Sequence, residues 1–366
     1  MKVILAGGGT GGHVYPGLAV AEALRREVAD RGIGPLELLY VGVRGRIDER
    51  IVPAAGLPFR AVSSGQLRVS SPLTFVRNLA RLALGSLQAL RLLRAQHPAA
   101  VFATGGYASV PVGLAARILR RPLVVYLPDV TPGWAVRLLS RLATRMATTS
   151  DRALAHLPAR KTSVVGYPVR DDFWTADRNS SRAKLGLSAE GHVLLVTGAS
   201  LGARAINDAI FDALPALLDR AQLLHVTGAD DEARAIEHRD ALPQPQRARY
   251  HVRGYLADMP DAMVAADLAV SRAGASVLGE LPAAGLPAIL VPGEYEGWTQ
   301  APNAEYLQSE GAAVMLRNAD LLRLADTVVS LLEDAARLAR MREAARRLAH
   351  PDAARDLARL VLEAAA

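Results

Sequence analysis

Short apolar runs that lead into glycine-containing loops and then into helical patterns recur along the chain, and this order constrains the fold more than any other feature. Residues 3–6 form such a run, the glycine-rich residues 7–13 follow it, and residues 18–24 then place apolar side chains at helical spacing. Each such stretch predicts a strand, a loop and a helix. Similar apolar runs lie at residues 38–41, 100–103, 123–127 and 147–149. This alternation predicts a parallel, doubly wound α/β sheet.

The same pattern occurs a second time, in apolar runs at residues 193–196, 223–227, 269–270 and 288–291. A chain of 366 residues is too long for one ordinary core and suits two domains. The turn Gly166-Tyr167-Pro168 precedes a polar stretch, which is typical of a boundary. We therefore predict one domain at residues 1–168, another at residues 169–345, and a C-terminal helix at residues 346–366 that can pack back toward the first domain.

The composition excludes several classes of protein. The chain has no cysteine, so it has neither disulfides nor thiolate metal sites, and a reducing compartment is expected. Met1 leads directly into an apolar strand without the pattern of a signal peptide, which favours a cytoplasmic protein. No run approaches the ~18 apolar residues needed to span a bilayer, so any membrane contact is expected to be peripheral.

Charge is distributed unequally between the two predicted domains. Residues 1–168 carry 22 Lys and Arg against 8 Asp and Glu, a net charge of +14, whereas the remainder carries 21 against 28, a net charge of −7. No acidic residue occurs between Glu49 and Asp129. A basic first domain indicates an anionic partner such as phospholipid, a pyrophosphate-bearing substrate or nucleic acid. An Arg-rich genome is the alternative explanation, but it does not account for the change of sign at the midpoint.

The loop after the first strand, Gly7-Gly8-Gly9-Thr10-Gly11-Gly12-His13, predicts a binding site at the start of a helix. Glycines let a ligand approach the backbone, and the helix N-terminus offers free NH groups. A dinucleotide site is disfavoured because no acidic residue ends the second strand, and no Walker sequence is present. His13 lies where the helix N-terminus disfavours the charged ring. It is a candidate general base, or else a histidine that only hydrogen-bonds the turn.

A second glycine loop, Thr104-Gly105-Gly106-Tyr107, follows the run at residues 100–103. Ligands collect at the carboxyl ends of the strands in open α/β sheets. The two loops are therefore expected to form one site in the first domain.

Two further loops follow strands of the second domain. Gly198-Ala199-Ser200-Leu201-Gly202 fits the nucleophile elbow of serine hydrolases, but no downstream histidine is singled out and His225 lies within a predicted strand. A phosphate-binding loop at a helix N-terminus explains the same residues. In the stretch 271–280, Glu280 can accept hydrogen bonds from a ribose, unless it is simply a solvated helix residue. Gln300 and Asn303 share a helical face and could contact sugar hydroxyls.

These motifs, taken in order, resemble the glycosyltransferases of family 28, which have the GT-B fold. The resemblance extends over essentially the whole chain. It implies two Rossmann-like, doubly wound parallel-sheet domains that face each other across a cleft. Its most specific segments are residues 8–16, 105–107, 168–170, 202–204, 271–280 and 283–287.

The resemblance also implies an activity. It implies an inverting hexosyltransferase that moves N-acetylglucosamine from UDP-N-acetylglucosamine to the C4 hydroxyl of the muramyl sugar of lipid I, which gives lipid II for peptidoglycan synthesis. It implies no cofactor, no metal and no nucleic acid, and a peripheral location on an anionic membrane surface at the cytoplasmic face of the cell membrane. A relative with a different polyprenyl or glycolipid acceptor, and a nucleotide-sugar-binding protein without turnover, remain alternatives.

Roles for individual residues follow from the same resemblance. The first domain would face the acceptor and the membrane, and the second would hold the UDP-sugar. Donor-side roles fall to Glu280 for ribose, the backbone at Leu256 for uracil, Ser200 and the turn Ala275-Ser276-Val277 for the diphosphate, and Gln300 and Asn303 for the sugar. Acceptor-side roles fall to His13 as base and to Thr10, Gly11, Gly12 and Tyr107, with Arg170 near the hinge.

The sequence departs from the family at Tyr126-Leu127-Pro128-Asp129, where the family usually has His-Glu-Gln-Asn. Asp129 is therefore a second candidate catalytic residue. It could be the base itself, it could orient or polarise His13, or it could be a turn residue after Pro128. The stretch Gly297-Trp298 is a further departure, because polar residues usually precede Gln300 in the family.

Residues 72–94 predict an amphipathic helix, capped by Ser70 or Ser71, with one apolar side and several arginines. It is either a core-facing helix with a solvated basic side or a peripheral membrane patch. The resemblance favours the membrane patch.

Overall fold

The computed structural model describes residues 1–65, 71–198, 203–295 and 298–366. The chain divides into two compact units. The first unit contains Met1–Val169 together with His350–Ala366, and the second contains Arg170–Ala349. The first unit is thus built from two separate stretches of the chain.

The first unit is built on a seven-stranded sheet in the order β3-β2-β1-β4-β5-β6-β7, in which every neighbouring pair is parallel. The order reverses direction at β1, which lies between β2 and β4. Loops that follow β1 and β4 therefore leave the same edge of the sheet side by side, where ligands collect in such folds. The strands are β1 Lys2–Ala6, β2 Glu37–Gly42, β3 Phe59–Ala61, β4 Ala100–Ala103, β5 Leu123–Leu127, β6 Arg145–Thr148 and β7 Thr162–Val164.

Helices connect these strands and cover the sheet. The longest, α3, begins with Pro72 at its first position, and the Ser71 side chain accepts a hydrogen bond from the Thr74 NH (3.5 Å) as its N-cap. The helices are α1 Gly11–Asp30, α2 Ile47–Ala54, α3 Pro72–Gln96, α4 Ser109–Ile118, α5 Trp134–Leu142 and, from the end of the chain, α16 Ala353–Ala365.

Helix α16 completes the core of the first unit. Its Leu357 and Val361 side chains are fully buried and pack in the same cluster as Val20 and Leu24 of α1. Its amphipathic character explains this position, because one side is apolar and the other carries Arg355 and Arg359, which pair with Glu27 of α1.

The second unit repeats the design with a six-stranded sheet in the order β10-β9-β8-β11-β12-β15, again with every neighbouring pair parallel. A separate two-stranded antiparallel hairpin, β13–β14, follows β12. The strands are β8 His192–Thr197, β9 Ala221–Val226, β10 Tyr250–Arg253, β11 Leu268–Ser271, β12 Ala288–Leu290, β13 Glu294–Tyr295, β14 Trp298–Thr299 and β15 Ala313–Met315.

The helices of the second unit surround its sheet and bury one large apolar cluster that includes Leu194, Ile210 and Val270. They are α6 Asp172–Thr175, α7 Arg178–Leu185, α8 Arg204–Arg220, α9 Glu232–Asp240, α10 Gln244–Arg247, α11 Met259–Ala265, α12 Val277–Ala284, α13 Ala301–Ser309, α14 Leu324–Glu333 and α15 Ala335–Arg347. The two doubly wound parallel sheets predicted from the alternating pattern are therefore confirmed. Across the described ranges, no helix combines the length and the hydropathy that crossing a bilayer requires.

Candidate functional site

The glycine-rich loop between β1 and α1 has a shape that only glycine permits at two positions. Gly8 has a φ of +151° and Gly9 a φ of +95°, both in the region that other residues rarely adopt. A β-carbon added at Gly8 would also clash with the carboxylate of Asp48. The loop therefore depends on close contact between its backbone and Asp48.

The Asp48 side chain packs against this loop and hydrogen-bonds it. It lies in the first turn of α2, is 0% exposed, and accepts hydrogen bonds from the NH groups of Val43 (2.6 Å) and Gly9 (3.3 Å). It thus ties the loop after β1 to the loop after β2. Asp48 belongs to none of the motifs described in the sequence. Its only local signal is an acidic residue in the first turn of a helix, which is common.

The two glycine loops of the first unit come together. The Thr104 hydroxyl donates to the carbonyl oxygen of His13 (2.7 Å), and the Thr104 NH donates to the carbonyl of Ala6 (2.9 Å). A β-carbon at Gly106 would clash with the carbonyl oxygen of Gly8. The structure therefore joins the loop at residues 7–13 to the loop at residues 104–107.

His13 is held by this junction. Its Nδ1 lies 2.9 Å from the carbonyl oxygen of Thr104. Because a carbonyl oxygen can only accept, Nδ1 carries the hydrogen in the neutral ring and Nε2 keeps its lone pair. The ring is half-buried on the third residue of α1. This arrangement suits a proton acceptor whose orientation is fixed by the backbone.

The other candidate residues of these loops are Thr10, Gly11 and Gly12, which precede His13, and Tyr107 of the second loop. Gly11 and Gly12 begin α1, and Thr10 is its exposed N-cap residue. In the described part of the chain the Thr10 hydroxyl makes no capping bond to the helix. Tyr107 is half-buried, and its ring centroid lies 6.2 Å from that of Trp134.

The segment at residues 126–129, where the sequence departs from the family, contains one core residue, Tyr126, and one half-buried residue, Asp129. Tyr126 is fully buried, and its hydroxyl bonds Thr149 Oγ1 (2.7 Å) and the carbonyl of Gly166 (3.0 Å). Burial raises the pKa of Tyr126 well above its usual value. Asp129 is half-buried and follows the end of β5. Tyr126 is therefore a core residue, and only Asp129 of the pair is placed near the surface.

In the second unit, the candidate donor residues gather where β11 leads into α12. Ala275 and Val277 are buried, Ser276 is the N-cap residue, and Glu280 lies in the first turn. Burial raises the pKa of Glu280 to about 7, against smaller opposing effects of a hydrogen bond from Ser276 and the positive charge of Arg170. Arg170, the first residue of this unit, is itself half-buried. Glu280 is therefore not a freely solvated helix residue.

Gln300 and Asn303 lie at the start of α13 with both amides largely buried. Gln300 Oε1 accepts the NH of Gly293 (2.8 Å), and its Nε2 lies beside Gly274 in the turn before α12. Asn303 Nδ2 donates to the carbonyl of Ala273 (3.0 Å). The structure therefore brings both amides to the turn that leads to Glu280.

The remaining donor candidates are Leu256 and Ser200. Leu256 is half-buried and follows β10, which is the edge strand of the second sheet. Ser200 lies outside the described residues.

The serine hydrolase alternative is disfavoured by His225. Its Nδ1 bonds the hydroxyl of Tyr250 (2.9 Å) and its Nε2 bonds Asn207 Oδ1 (3.0 Å), so both ring nitrogens are already engaged. Burial lowers the pKa of His225 to about 3. This histidine is a core residue and does not present a free nitrogen to a nucleophile.

Within the described ranges, no group of three or more His, Asp or Glu side chains is arranged to hold a metal ion.

Helix α3 exposes a large apolar surface. Leu73 is 80% and Val76 62% exposed, and Arg77 and Arg81 are exposed on the same helix. Further exposed apolar residues are Phe75, Leu79, Leu84 and Leu87. The opposite side packs inward through Leu82, Ala89 and Leu93. The helix is thus buried on one side and apolar on the other, which marks an interaction surface.

Comparisons with known proteins identify relatives of this chain. The model of the glycosyltransferase family 28 N-terminal domain matches residues 3–148, and the model of the glycosyltransferase family 28 C-terminal domain matches residues 193–357. A UDP-N-acetylglucosamine–N-acetylmuramyl-(pentapeptide) pyrophosphoryl-undecaprenol N-acetylglucosamine transferase of Roseiflexus sp. (strain RS-1) is 42% identical, with 99% of this chain and 94% of that protein aligned.

The transferase of the same name from Desulforudis audaxviator (strain MP104C) is 37% identical over 96% of this chain and 95% of its own length. Among solved structures, the crystal structure of Acinetobacter baumannii MurG superposes with a TM-score of 0.75 and 24% identity, and the match covers 99% of both chains. This structural likeness supports the fold.

Proposed function

Because the chain belongs to glycosyltransferase family 28, we propose that it transfers N-acetylglucosamine from UDP-N-acetylglucosamine to the C4 hydroxyl of the muramyl sugar of lipid I. The product is lipid II, a precursor of peptidoglycan. The full-length relatives carry this activity in their names. The observation in the structure that best supports it is His13, whose Nδ1 is fixed by the Thr104 carbonyl while Nε2 keeps its lone pair.

His13 acts as the general base in the proposed mechanism. Nε2 takes the proton from the acceptor C4 hydroxyl as its oxygen attacks the anomeric carbon of the donor sugar. The new carbon–oxygen bond forms as the bond to the UDP oxygen breaks, and the bonding electrons leave with UDP. Attack from the face opposite the leaving group inverts the anomeric centre. The protonated ring keeps its hydrogen bond to Thr104, so it need not move during the step.

The second unit binds the donor in this proposal. The ionised carboxylate of Glu280 accepts hydrogen bonds from the ribose hydroxyls. The NH groups at the start of α12, with the Ala275-Ser276-Val277 turn, face the diphosphate and stabilise the negative charge that grows on it. The amides of Gln300 and Asn303 lie beside the same turn and orient the sugar.

The exposed apolar side of α3 is the proposed membrane contact. Its apolar side chains and its arginines are the combination that binds an anionic bilayer surface peripherally. Such contact at the cytoplasmic face would bring the enzyme to an acceptor that carries a polyprenyl chain.

A UDP-release assay against a panel of polyprenyl-pyrophosphoryl acceptors tests the proposal. With lipid I as acceptor, one UDP should be released from the donor for each lipid II formed. Without an acceptor, no UDP should be released. If UDP is released only with another glycolipid, the acceptor assignment is wrong. If the protein binds UDP-N-acetylglucosamine and no acceptor elicits release, it is a binding protein without turnover.

A further inference from the structure

The β13–β14 hairpin presents two stacked aromatic rings to solvent. Tyr295 and Trp298 are directly opposite each other in the hairpin, with ring centroids 5.2 Å apart and an interplanar angle of 27°. They are 57% and 39% exposed. Aromatic side chains are only 5% of the sequence, and the bulky ones of the sheets, such as Tyr40, Phe102 and Tyr126, are fully buried. Two exposed rings side by side therefore require an explanation other than core packing.

This pair is continuous with the turn proposed to bind the donor. The Tyr295 ring lies over Gly293, where an added β-carbon would approach its hydroxyl to 2.8 Å. The NH of Gly293 donates to Gln300 Oε1, and Gln300 Nε2 lies beside Gly274. A short series of contacts thus leads from the aromatic pair, through Gln300, to the turn before α12.

The base of the hairpin is also fixed. Arg272, which follows β11, donates through Nη1 to the carbonyls of Val291 (3.3 Å) and Pro292 (3.4 Å) and to Asn318 Oδ1 (2.8 Å). These bonds hold the segment that enters the hairpin. Rings carried on a fixed base can bind a ligand at a lower cost in conformational entropy than rings on a free loop.

We propose that Tyr295 and Trp298 form a stacking surface for the pyranose ring of the donor N-acetylhexosamine, and so help to determine which UDP-sugar is bound. A pyranose has an apolar face of C–H groups and a rim of hydroxyls. The aromatic pair matches the face, and the adjacent Gln300 amide matches the rim. The inference rests on the donor site proposed above.

A membrane surface is the rival partner for exposed aromatic residues, since tyrosine and tryptophan favour bilayer interfaces. The charge beside the pair disfavours it. Glu294 is exposed and immediately precedes Tyr295, and a carboxylate at that position is repelled by an anionic bilayer. A carboxylate can, by contrast, accept hydrogen bonds from sugar hydroxyls.

The test compares UDP-N-acetylglucosamine with UDP as ligands in calorimetric titrations of the full chain. In Trp298→Ala and Tyr295→Ala, the Kd for UDP-N-acetylglucosamine should rise about fivefold to tenfold, while the Kd for UDP changes by less than about twofold. Trp298→Phe and Tyr295→Phe keep a ring at each position and are the matched controls, with affinities near that of the wild type.

A second measurement covers the case in which the alanine variants fail to fold. The chain has three tryptophans, so UDP-N-acetylglucosamine should change the tryptophan fluorescence more than UDP does, and Trp298→Phe should remove that difference while still binding. Identical fluorescence responses to UDP and UDP-N-acetylglucosamine in the wild type would overturn the proposal.

Several outcomes would contradict the stacking surface. If the alanine variants lose affinity for UDP and for UDP-N-acetylglucosamine equally, the aromatic pair stabilises the turn and does not contact the sugar. If both affinities are unchanged, the pair does not belong to the donor site. A loss confined to vesicle binding would assign the pair to a membrane, and a rise only in the acceptor KM would assign it to the acceptor. Failure of the proposed function is distinguishable from failure of the stacking surface, because the wild-type protein would then bind no UDP-N-acetylglucosamine or transfer none.

Discussion

The glycine loops of the first unit and the α12 turn of the second unit both follow parallel strands, but they hold their key side chains by different means. In the first unit, the backbone carbonyl of Thr104 fixes the His13 imidazole, and the Asp48 carboxylate accepts a hydrogen bond from the Gly9 NH of the same loop. In the second unit, burial acts on a carboxyl group and raises the pKa of Glu280 to about 7. The first unit thus fixes the orientation of His13, whereas the second unit shifts the protonation of Glu280.

This difference separates catalysis from binding. An oriented imidazole contributes to the rate of proton transfer, whereas a carboxylate that binds ribose contributes to affinity. Changes in the first unit are therefore expected to affect turnover, and changes in the second to affect the Kd of the donor.

The largest effect is expected for His13→Ala. Removal of the base should lower kcat roughly 10²- to 10⁴-fold while the Kd for UDP stays near the wild-type value. His156→Ala, an exposed histidine of the same unit, is the control and should keep full activity. Turnover in His13→Ala at the wild-type rate would contradict the proposed mechanism. A large loss of UDP affinity in the same variant would contradict the separation of catalysis from donor binding.

The next effect concerns Glu280. Glu280→Ala should weaken UDP binding at least about tenfold, since charged hydrogen bonds are worth ~1.5 to 3 kcal/mol. Wild-type affinity should also fall as the pH drops through about 7, where the raised pKa of Glu280 places its protonation. Glu280→Gln should remove this pH dependence, whereas Glu305→Gln, an exposed carboxylate of α13, should retain it. Donor affinity that is independent of pH in the wild type would exclude Glu280 from ribose binding.

The same carboxyl group has a predicted effect on stability. The pKa of Glu280 is higher in the folded protein than its usual 4.5, so the folded state binds the proton more tightly than the unfolded chain. The ionised group thus costs stability progressively above pH 4.5, and the cost is complete above about pH 7. Glu280→Gln should therefore raise the melting temperature of the free protein more at pH 8.5 than at pH 4.5. An equal change at both pH values would contradict the buried carboxyl.

A smaller effect is expected at α3, where the comparison extends to the charge of the two units. The double variant Arg77→Gln and Arg81→Gln should lower partition to anionic vesicles about tenfold or more, at ~1 kcal/mol for each arginine. Partition of the wild type should also weaken with salt, because charges are screened over ~10 Å at 0.1 M. Arg60→Gln with Arg160→Gln, exposed on the same unit, is the control. Equal partition to neutral and anionic vesicles would remove the electrostatic part of the membrane contact.

The smallest effect is expected for Asp129→Asn. If Asp129 orients His13, kcat should fall less in Asp129→Asn than in His13→Ala, because the Thr104 carbonyl still holds the ring. Measured kcat values of both variants decide this. A greater loss in Asp129→Asn than in His13→Ala would make the carboxylate the better candidate for the base.

Sequence patterns predicted the centres of both sheets and missed their edges. The predicted runs at residues 100–103 and 123–127 coincide with β4 and β5. Six strands were not predicted. Four of them, β3, β7, β10 and β15, are the edge strands of the two sheets, and the other two form the β13–β14 hairpin. Edge strands are short and only half-covered, so they lack the continuous apolar run of a central strand. Pairing with a neighbour defines them, and pairing is not visible locally.

The candidate sites show the same limit. Glycines at strand ends identified the loops around His13 and Glu280 from local sequence alone. Asp48 was missed because its carboxylate bonds Gly9, which lies 39 residues away in the chain. The raised pKa of Glu280 could not be predicted either, since it arises from burial, and the helices that pack on α12 include α6 and α15, which are distant from it in sequence. Local sequence thus located the loops, and tertiary contacts determined the properties of the side chains within them.

Because α16 belongs to the first unit, the unit that begins at the N-terminus is the last to receive all of its chain. Domains generally fold as units as they leave the ribosome, the N-terminal one first. Here Met1–Val169 emerges early but lacks His350–Ala366 until that segment has been made. The apolar side of α1 that covers Leu357 and Val361 therefore stays uncovered while Arg170–Ala349 is made. The second unit, although encoded later, is the first whose chain is complete.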